Sequence, residues 1–461
     1  MTTALLVRRG EVAAGRTIDV RCSGGRIVEV ASSLRPKAGE TVLDAAGGAV
    51  LPGLHDHHLH LLSLAAATTS VRCGPPFVYD RGGLVRALRG ASGNWVRGTG
   101  YHESVAGVLD RHSLDRIEAD RPVRVQHRGG ALWMLNSRAV ARLRLADEPG
   151  VERDGNGEPT GRLWRADTLL RERLGPSSPP DLAAVGRRLA SLGITGVTDA
   201  TPDLDEDTVA LLAGAVAEGD LPQHVQLLGA PDDARLPRRM TVGPRKILPP
   251  DHEPPDWAGL HAEVTTTHAR GRPVAIHSVT RESLVVALTV LRAAGPMPGD
   301  RIEHAAVVGD DLLPLLAEAG PVVVTQPGFV AERGDVYRHE VADSDHLYRY
   351  ASLLRAGVRV VPSSDAPFAS EDPWRTMVAA AERRTPDGAV LGPADRVSAE
   401  QVLTGLLASL DRPDGLPRQL ESGAPADLCL LRVPRAEALR APESGVVAAT
   451  VCAGRVVYSA D

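Results

Sequence analysis

The chain has 461 residues, of which 43% are hydrophobic and 24% charged, with a net charge of −6 and an isoelectric point near 6.2. This length asks for one large domain plus a smaller one. The acidic balance excludes nucleic acid or an anionic membrane as the main partner. The N-terminal stretch "MTTALLVRRGEV" holds too short an apolar run for a signal peptide, and no later run could span a bilayer, so a cytoplasmic location is expected. Cys22, Cys73, Cys429 and Cys452 are scattered without a CxxC spacing and read as reduced, structural thiols. Of the 52 basic side chains, only Lys37 and Lys246 are lysine; the rest are arginine. A retained lysine in such a chain asks for a reason.

In chain order, the first fifty residues read as short strands with tight turns: "ALLVRRGEV", "TIDVRCSGGRIVEV" and "TVLDAAGGAVLPG". Their alternation and Gly-Gly pairs are hairpin signals. Next comes "GLHDHHLH", with four of the chain's 15 histidines. Read as a strand, it puts Asp56, His58 and His60 on one face and His55, His57 and Leu59 on the other. His58 and His60 lie nearer the strand's end. Two imidazoles two residues apart can reach one divalent ion, and Asp56 could brace a ligand from behind.

Roughly Leu61 to Pro180 is too long for a simple loop and reads as a lid or subdomain over the site. It contains "GYHES", where His102 with Glu103 could face a pocket. It also contains "RPVRVQHRGGALWMLNS", where Arg128 and Trp133 are candidate substrate contacts.

The middle of the chain then repeats a unit, an apolar run ending in a polar residue and followed by a helical stretch. The runs, starting with "AVLPGLHDHHLHL", are "ITGVTDATPD", "HVQLLGAP", "PRKILPPD", "RPVAIHSVT", "DRIEHAAVV", "PVVVTQPGF" and "VRVVPSSDAP". Helical stretches such as "DLAAVGRRLASLG", "TVALLAGAVAEG" and "ESLVVALTVLRAAG" separate several of them. Eight such strands predict a closed (β/α)8 barrel, with the chemistry at the C-terminal strand ends. Those ends carry Lys246, His277, His304, Gln326 and Asp365. Imidazole and carboxylate suit zinc, and also iron, manganese or nickel. Gln326 could face the pocket as an amide donor. Lys246 as the neutral amine can take up CO2 and become a carbamate, a carboxylate able to bridge two metals; arginine stays protonated and cannot. His252, between Asp251 and Glu253 in a proline-flanked run, reads as a solvated loop.

The C-terminal stretches "ADLCLLRV" and "VVAATVCAGRVVYS" are again β. The expected fold is therefore α/β. A TIM-like (β/α)8 barrel spans residues 53–412, with an insertion at about 61–180. A small β-sandwich domain is built from residues 1–52 and 413–461.

These residues resemble a known family. "LPGLHDHHLHL" is similar to the PGxxDxHxH signature of the amidohydrolase superfamily, and "VAIH", "RIEH" and "SSDAP" to its later metal-binding strands. "WVRGTGY", "GEPTGRLW", "GITGVTDA", "LESGAPADLCLL" and "VCAGRVVYS" resemble stretches of the amidohydrolase-3 branch, which includes the N-substituted formamide deformylases. The resemblance covers nearly the whole chain. It implies a metal-dependent hydrolase of a non-peptide C–N bond, of an N-acyl, formamide or similar amide of a small molecule. It implies that His58 and His60 bind a first metal, His277 and His304 a second, and that carboxylated Lys246 bridges. It further implies that Asp365 touches the first metal and serves as general acid/base toward a metal-activated hydroxide. The implied cofactor is a divalent metal, zinc, as one or two ions per chain. Dimers are common in the family, so a homodimer is the expected assembly. The resemblance departs at "KILPPDHEPPDW", where the branch often has an Asp-Gly pair after the lysine. It departs again at Ala131, where the branch often has a histidine; His127 is the neighbour that would compensate. Two other readings stay open: a mononuclear deaminase or cyclic-amide hydrolase, and a catalytically inactive binding member. The complete set of four histidines and one aspartate speaks against the second.

Overall fold

A computed structural model describes residues 4–145, 148–174, 180–249 and 256–460. The chain forms two compact units: everything up to Leu61 together with everything from Leu182, and the intervening Leu62–Asp181.

The first unit opens with β1 (Leu5–Ala13), β2 (Arg16–Ser23), β3 (Arg26–Ala31) and β4 (Thr41–Asp44), in the sheet order β3-β2-β1-β4. The β2–β3 hairpin turns on Gly24 and Gly25, with φ of 60° and 79°. Both lie in the left-handed region that a tight two-residue turn needs and that glycine adopts without steric cost. β5 (Val50–Pro52) leaves this sheet, and β6 (Leu54–Leu59) follows it.

The second unit carries its own six-stranded sheet. It comprises β7 (Val71–Arg72), β8 (Val96–Tyr101), β9 (Val123–His127), β10 (Leu132–Leu135), β11 (Val151–Arg153) and β12 (Pro159–Trp164). Its buried residues gather into separate clusters around Leu84, Tyr101 and Met134 and around Trp133, Leu143 and Leu163.

The chain then returns to the first unit with β13 (Ile194–Asp199), β14 (His224–Leu227) and β15 (Met240–Val242), which extend β6 into a parallel sheet, β15-β14-β13-β6. A second parallel sheet runs in sequence order through β16 (Arg245–Ile247), β17 (Val274–Ser278), β18 (Arg301–His304), β19 (Val322–Thr325) and β20 (Val360–Pro362). Helices intervene at most connections, for example Glu206–Glu218, which Asp205 caps by accepting from Thr208 N at 2.8 Å. β6, β13, β18 and β19 are buried along their whole length, as parallel strands covered on both faces must be. Backbone hydrogen bonds also join the margins of the two sheets, from Lys246 N to Leu228 O (3.1 Å) and from Asp365 N to His58 O (2.8 Å).

All eight expected strands are present, and β15 is an addition that the apolar pattern did not reveal. "MTVGPRKI" breaks in two, β15 pairing only with β14 and β16 only with β17. Pro244 has no N–H for a ladder. A side chain at Gly243 would meet Gln226 and Leu228 side-chain atoms at 2.8 Å, so a larger residue there would force those side chains to shift.

The last strands, β21 (Leu428–Leu431), β22 (Val447–Cys452) and β23 (Arg455–Ser459), pair with β5 in the order β23-β22-β21-β5. Leu5, Val7 and Val20 from one end of the chain share a core with Leu428, Leu430 and Val451 from the other. All four cysteines are buried free thiols. No helix among the described residues is long and apolar enough to cross a membrane.

Candidate metal centre

Strand alternation separates the two histidine pairs of β6. His57 Nε2 lies 3.1 Å from Gly405 O on the helix Ala399–Leu406, and the His55 ring lies against Gly196. His58 and His60 point the other way, with ring centroids 5.5 Å apart. Asp365 comes to meet them from the end of β20. Its Oδ1 is 3.3 Å from His60 Nε2 and 3.5 Å from His58 Nε2. His304 stands 4.8 Å from His58 and His277 4.6 Å from His304, centroid to centroid. Lys246, on β16, is 3% exposed, and its amine makes no hydrogen bond or ion pair with a described residue. Five side chains from segments far apart in sequence thus come together at the C-terminal strand ends, with Lys246 near enough for its charge to act on His58 and His304.

Two of them reach it by a strained backbone. His304 and Asp365 have φ of 71° and 56°, in the left-handed region that costs a non-glycine residue about 1–3 kcal/mol. Asp56 secures this corner rather than bracing an imidazole as its strand face implied. Its carboxylate accepts the backbone N–H groups of His58 and Ser364, both at 3.1 Å, and so ties β6 to the turn that carries Asp365.

The electrostatics suit a cation. Burial pushes the His58 imidazole well below its ordinary range, with the Lys246 charge adding to the effect. Burial and His277 push His304 down to about 3. Both rings are therefore neutral near pH 7, the form that ligates metal. Burial alone would raise the Asp365 carboxyl, but the imidazoles beside it, His60 foremost, hold it well below the usual carboxylate range. Its Oδ1 is buried without a hydrogen-bond partner. A bare carboxylate oxygen among neutral imidazoles is a donor set that fits a divalent ion.

The outer nitrogens are engaged. His60 Nδ1 lies 3.0 Å from Thr201 Oγ1. His58 Nδ1 contacts Glu303, a residue the sequence reading passed over although Arg301 and Glu303 put two charges on one face of a short buried strand. Gln326 requires a correction. It is fully buried, and its amide N–H groups are spent on Ser363 Oγ (2.9 Å) and Val324 O (3.2 Å). Its Oε1 therefore faces His304 Nδ1 at 2.8 Å, so it orients a histidine and has no donor left for substrate.

His102, His127, Arg128 and Trp133 lie in the other unit, Leu62–Asp181. There His127 Nε2 is 3.1 Å and His102 Nε2 3.9 Å from Glu103 Oε2. Each Nδ1 accepts a backbone N–H, from Gly129 at 3.0 Å and from Ser104 at 3.2 Å. A neutral His127 ring held this way carries its proton on Nε2 and donates it to Glu103, whereas His102 Nε2 stands beyond hydrogen-bond distance of that oxygen. Arg128 is half-buried at the end of β9, with its N–H bonded to Tyr101 O. Trp133 is corrected from substrate contact to core. It is 3% exposed, its Nε1 donates to Asp167 at 3.0 Å, and the Arg97 and Arg124 guanidinium groups each lie 5.4 Å from its ring. The run around His252 lies outside the described residues.

Parallel strands ending on a set of histidines and an aspartate make a candidate metal centre. The chain belongs to the amidohydrolase family, whose family profile matches residues 41–458, and its reaction class is hydrolysis of carbon–nitrogen bonds other than peptide bonds. It is 27% identical to N-substituted formamide deformylase of Arthrobacter pascens, over 84% of this chain and 86% of that protein. An uncharacterized metal-dependent hydrolase of Pyrococcus horikoshii has the same fold, with a TM-score of 0.73 and 20% identity over 99% of this chain and 100% of that one. A second, from Pyrococcus furiosus, gives 0.68 and 21% over 92% and 98%.

Proposed function

We propose that this protein hydrolyses an N-acyl or formamide-type amide of a small molecule, with Asp365 as general acid and base. The observation that carries the reading is the convergence of His58, His60, His277, His304 and Asp365 near a buried lysine, Lys246, whose amine makes no hydrogen bond or ion pair among the described residues. The formamide class is favoured by the likeness to the Arthrobacter deformylase.

His58 and His60 would hold one zinc ion, with Asp365 touching it, and His277 and His304 a second. When bound, such ions lower the pKa of water to about 7 and polarise a carbonyl oxygen. Burial lowers the Lys246 pKa and so favours the neutral amine. That amine would form one N–C bond to CO2 and release one proton to solvent, and the resulting carbamate would add a carboxylate to the residues that hold the metal. Asp365 Oδ1 has no other bond to satisfy. It accepts a proton from the attacking water as the new C–O bond forms, then returns it to the leaving nitrogen as the C–N bond breaks. A carboxylic acid and an amine result; a formamide gives formate. This division of labour needs Asp365 ionised at neutral pH, as its lowered pKa provides.

The same reading takes the parallel strands of residues 53–412 as a closed (β/α)8 barrel interrupted at about 61–180. It takes the two terminal sheets, from residues 1–52 and 413–461, as a β-sandwich. A homodimer is the assembly. The cytoplasm is the location, in keeping with four free thiols. The test is metal analysis of the purified protein followed by a panel of amides and formamides. Two ions per chain and amide hydrolysis are expected. Folded protein without metal above trace would sink the reading, and one ion with deamination would favour a mononuclear deaminase.

A further inference from the structure

Strand β18 carries a buried ion pair that the reaction above leaves unused. Arg301 and Glu303 are 1% and 0% exposed. Arg301 Nε donates to Glu303 Oε1 at 2.7 Å and Nη2 to Oε2 at 3.2 Å; Nη2 also donates to His57 O at 2.7 Å. Glu303 Oε2 then contacts His58 Nδ1, 245 residues away in sequence. A pair so deeply buried is costly to keep, and apolar side chains of similar volume would often serve stability as well. Its place therefore asks for a second reason.

That reason lies in the imidazole. An ionised carboxylate only accepts, so the proton between the two groups belongs on His58 Nδ1. The lone pair of His58 is then on Nε2, the atom 3.5 Å from Asp365 Oδ1. We propose that Glu303 is a positioning residue for the metal centre: it holds His58 as the Nδ1–H tautomer, with Nε2 aimed at the cation, while Arg301 holds Glu303 in register with β6. His304 has a neutral partner in Gln326 and His60 a hydroxyl in Thr201, so His58 alone of these three ligands leans on a full negative charge. A carboxylate behind a ligating imidazole raises its basicity and fixes its orientation. The inference rests on the metal-centre reading above.

The competing explanation is that Glu303 only neutralises Arg301. The double variant Arg301→Met/Glu303→Leu separates the two, because it removes both charges together. Full-length wild type, the double variant and Glu303→Gln would be stripped of metal. Zinc dissociation constants would then be measured by chelator competition, and absorption spectra recorded after cobalt loading. The double variant should melt near the wild-type temperature, bind the first zinc ion about 10–100-fold more weakly, and show an altered cobalt band. Glu303→Gln keeps an oxygen able to accept from Nδ1, as Gln326 does for His304, but loses the charge, and should recover only part of that loss. A double variant with wild-type zinc affinity and cobalt spectrum would overturn the proposal. Should the double variant not fold, the long-range nitrogen–proton spectrum of histidine-labelled wild type decides: His58 protonated on Nδ1 supports the proposal, and on Nε2 overturns it. Wild type that takes up no zinc would remove the metal-centre reading and this inference together. Zinc-binding wild type beside an unaffected double variant would remove this inference alone.

Discussion

Two groups of histidines with a carboxylate, one in each unit, are built from the same residue types and wired in opposite senses. Around Asp365, the outer nitrogens of His58 and His304 face acceptors on Glu303 and Gln326, which leaves their Nε2 lone pairs free. Around Glu103, the Nδ1 atoms of His102 and His127 are themselves acceptors of backbone N–H groups, and the Nε2–H of His127 points at the carboxylate. The ligand atoms of His58, His60 and Asp365 lie within 4.8 Å of one another, and so do those of His102, Glu103 and His127. Proximity therefore does not separate a metal centre from a hydrogen-bonded clamp. What separates them is the partner of the second ring nitrogen, because a neutral imidazole has one proton to place.

That contrast can be broken by substitution. The largest effect is expected at Asp365. Asp365→Asn should lower kcat by about 10²–10⁴-fold, the usual contribution of a general acid/base, while most of the bound metal stays. Steady-state rates alongside metal analysis check this, and wild-type turnover would remove Asp365 from its role. Next comes Lys246→Ala, which should cost one of two metal ions per chain by elemental analysis; unchanged stoichiometry would rule out the bridging carbamate.

The other unit should respond in stability alone. Trp133→Ala should destabilise by about 3–5 kcal/mol, the range for a buried aromatic, and leave metal content unchanged. Thermal or denaturant unfolding measures this. A raised KM with unaltered stability would restore Trp133 as a substrate contact. The smallest effect belongs to His127→Gln, which should leave metal content untouched. Burial holds the His127 imidazole below its ordinary 6.5, although Glu103 pulls it upward. The unfolded chain then binds this proton before the folded one does, so His127 removes stability as pH falls below about 6.5. His127→Gln should flatten that loss by no more than about 1.4 kcal/mol per pH unit, read from unfolding curves between pH 7 and 5. Loss of a metal ion in this variant would show that the Glu103 group is a metal site after all.

Much of this was legible in the residues themselves. The expected strands were marked by apolar runs, and the polar residues that end them are the ones that converge. Alternation along "HDHHLH" separated His58 and His60 from His55 and His57 before any neighbour was known, since a strand has a period of two. The break in "MTVGPRKI" could be located at its Gly-Pro pair but not foreseen as two strands with different partners, because pairing is not a local property.

Tertiary structure decided the rest. Asp56 turned out to bind backbone rather than an imidazole, Gln326 to face a histidine rather than substrate, and Trp133 to be core. Glu303 acquired its meaning from His58 on a strand of the other parallel sheet. Local periodicity states which way a side chain points. Which hydrogen-bond partner awaits it there, and hence which nitrogen keeps the proton, depends on segments hundreds of residues away that only folding brings into contact.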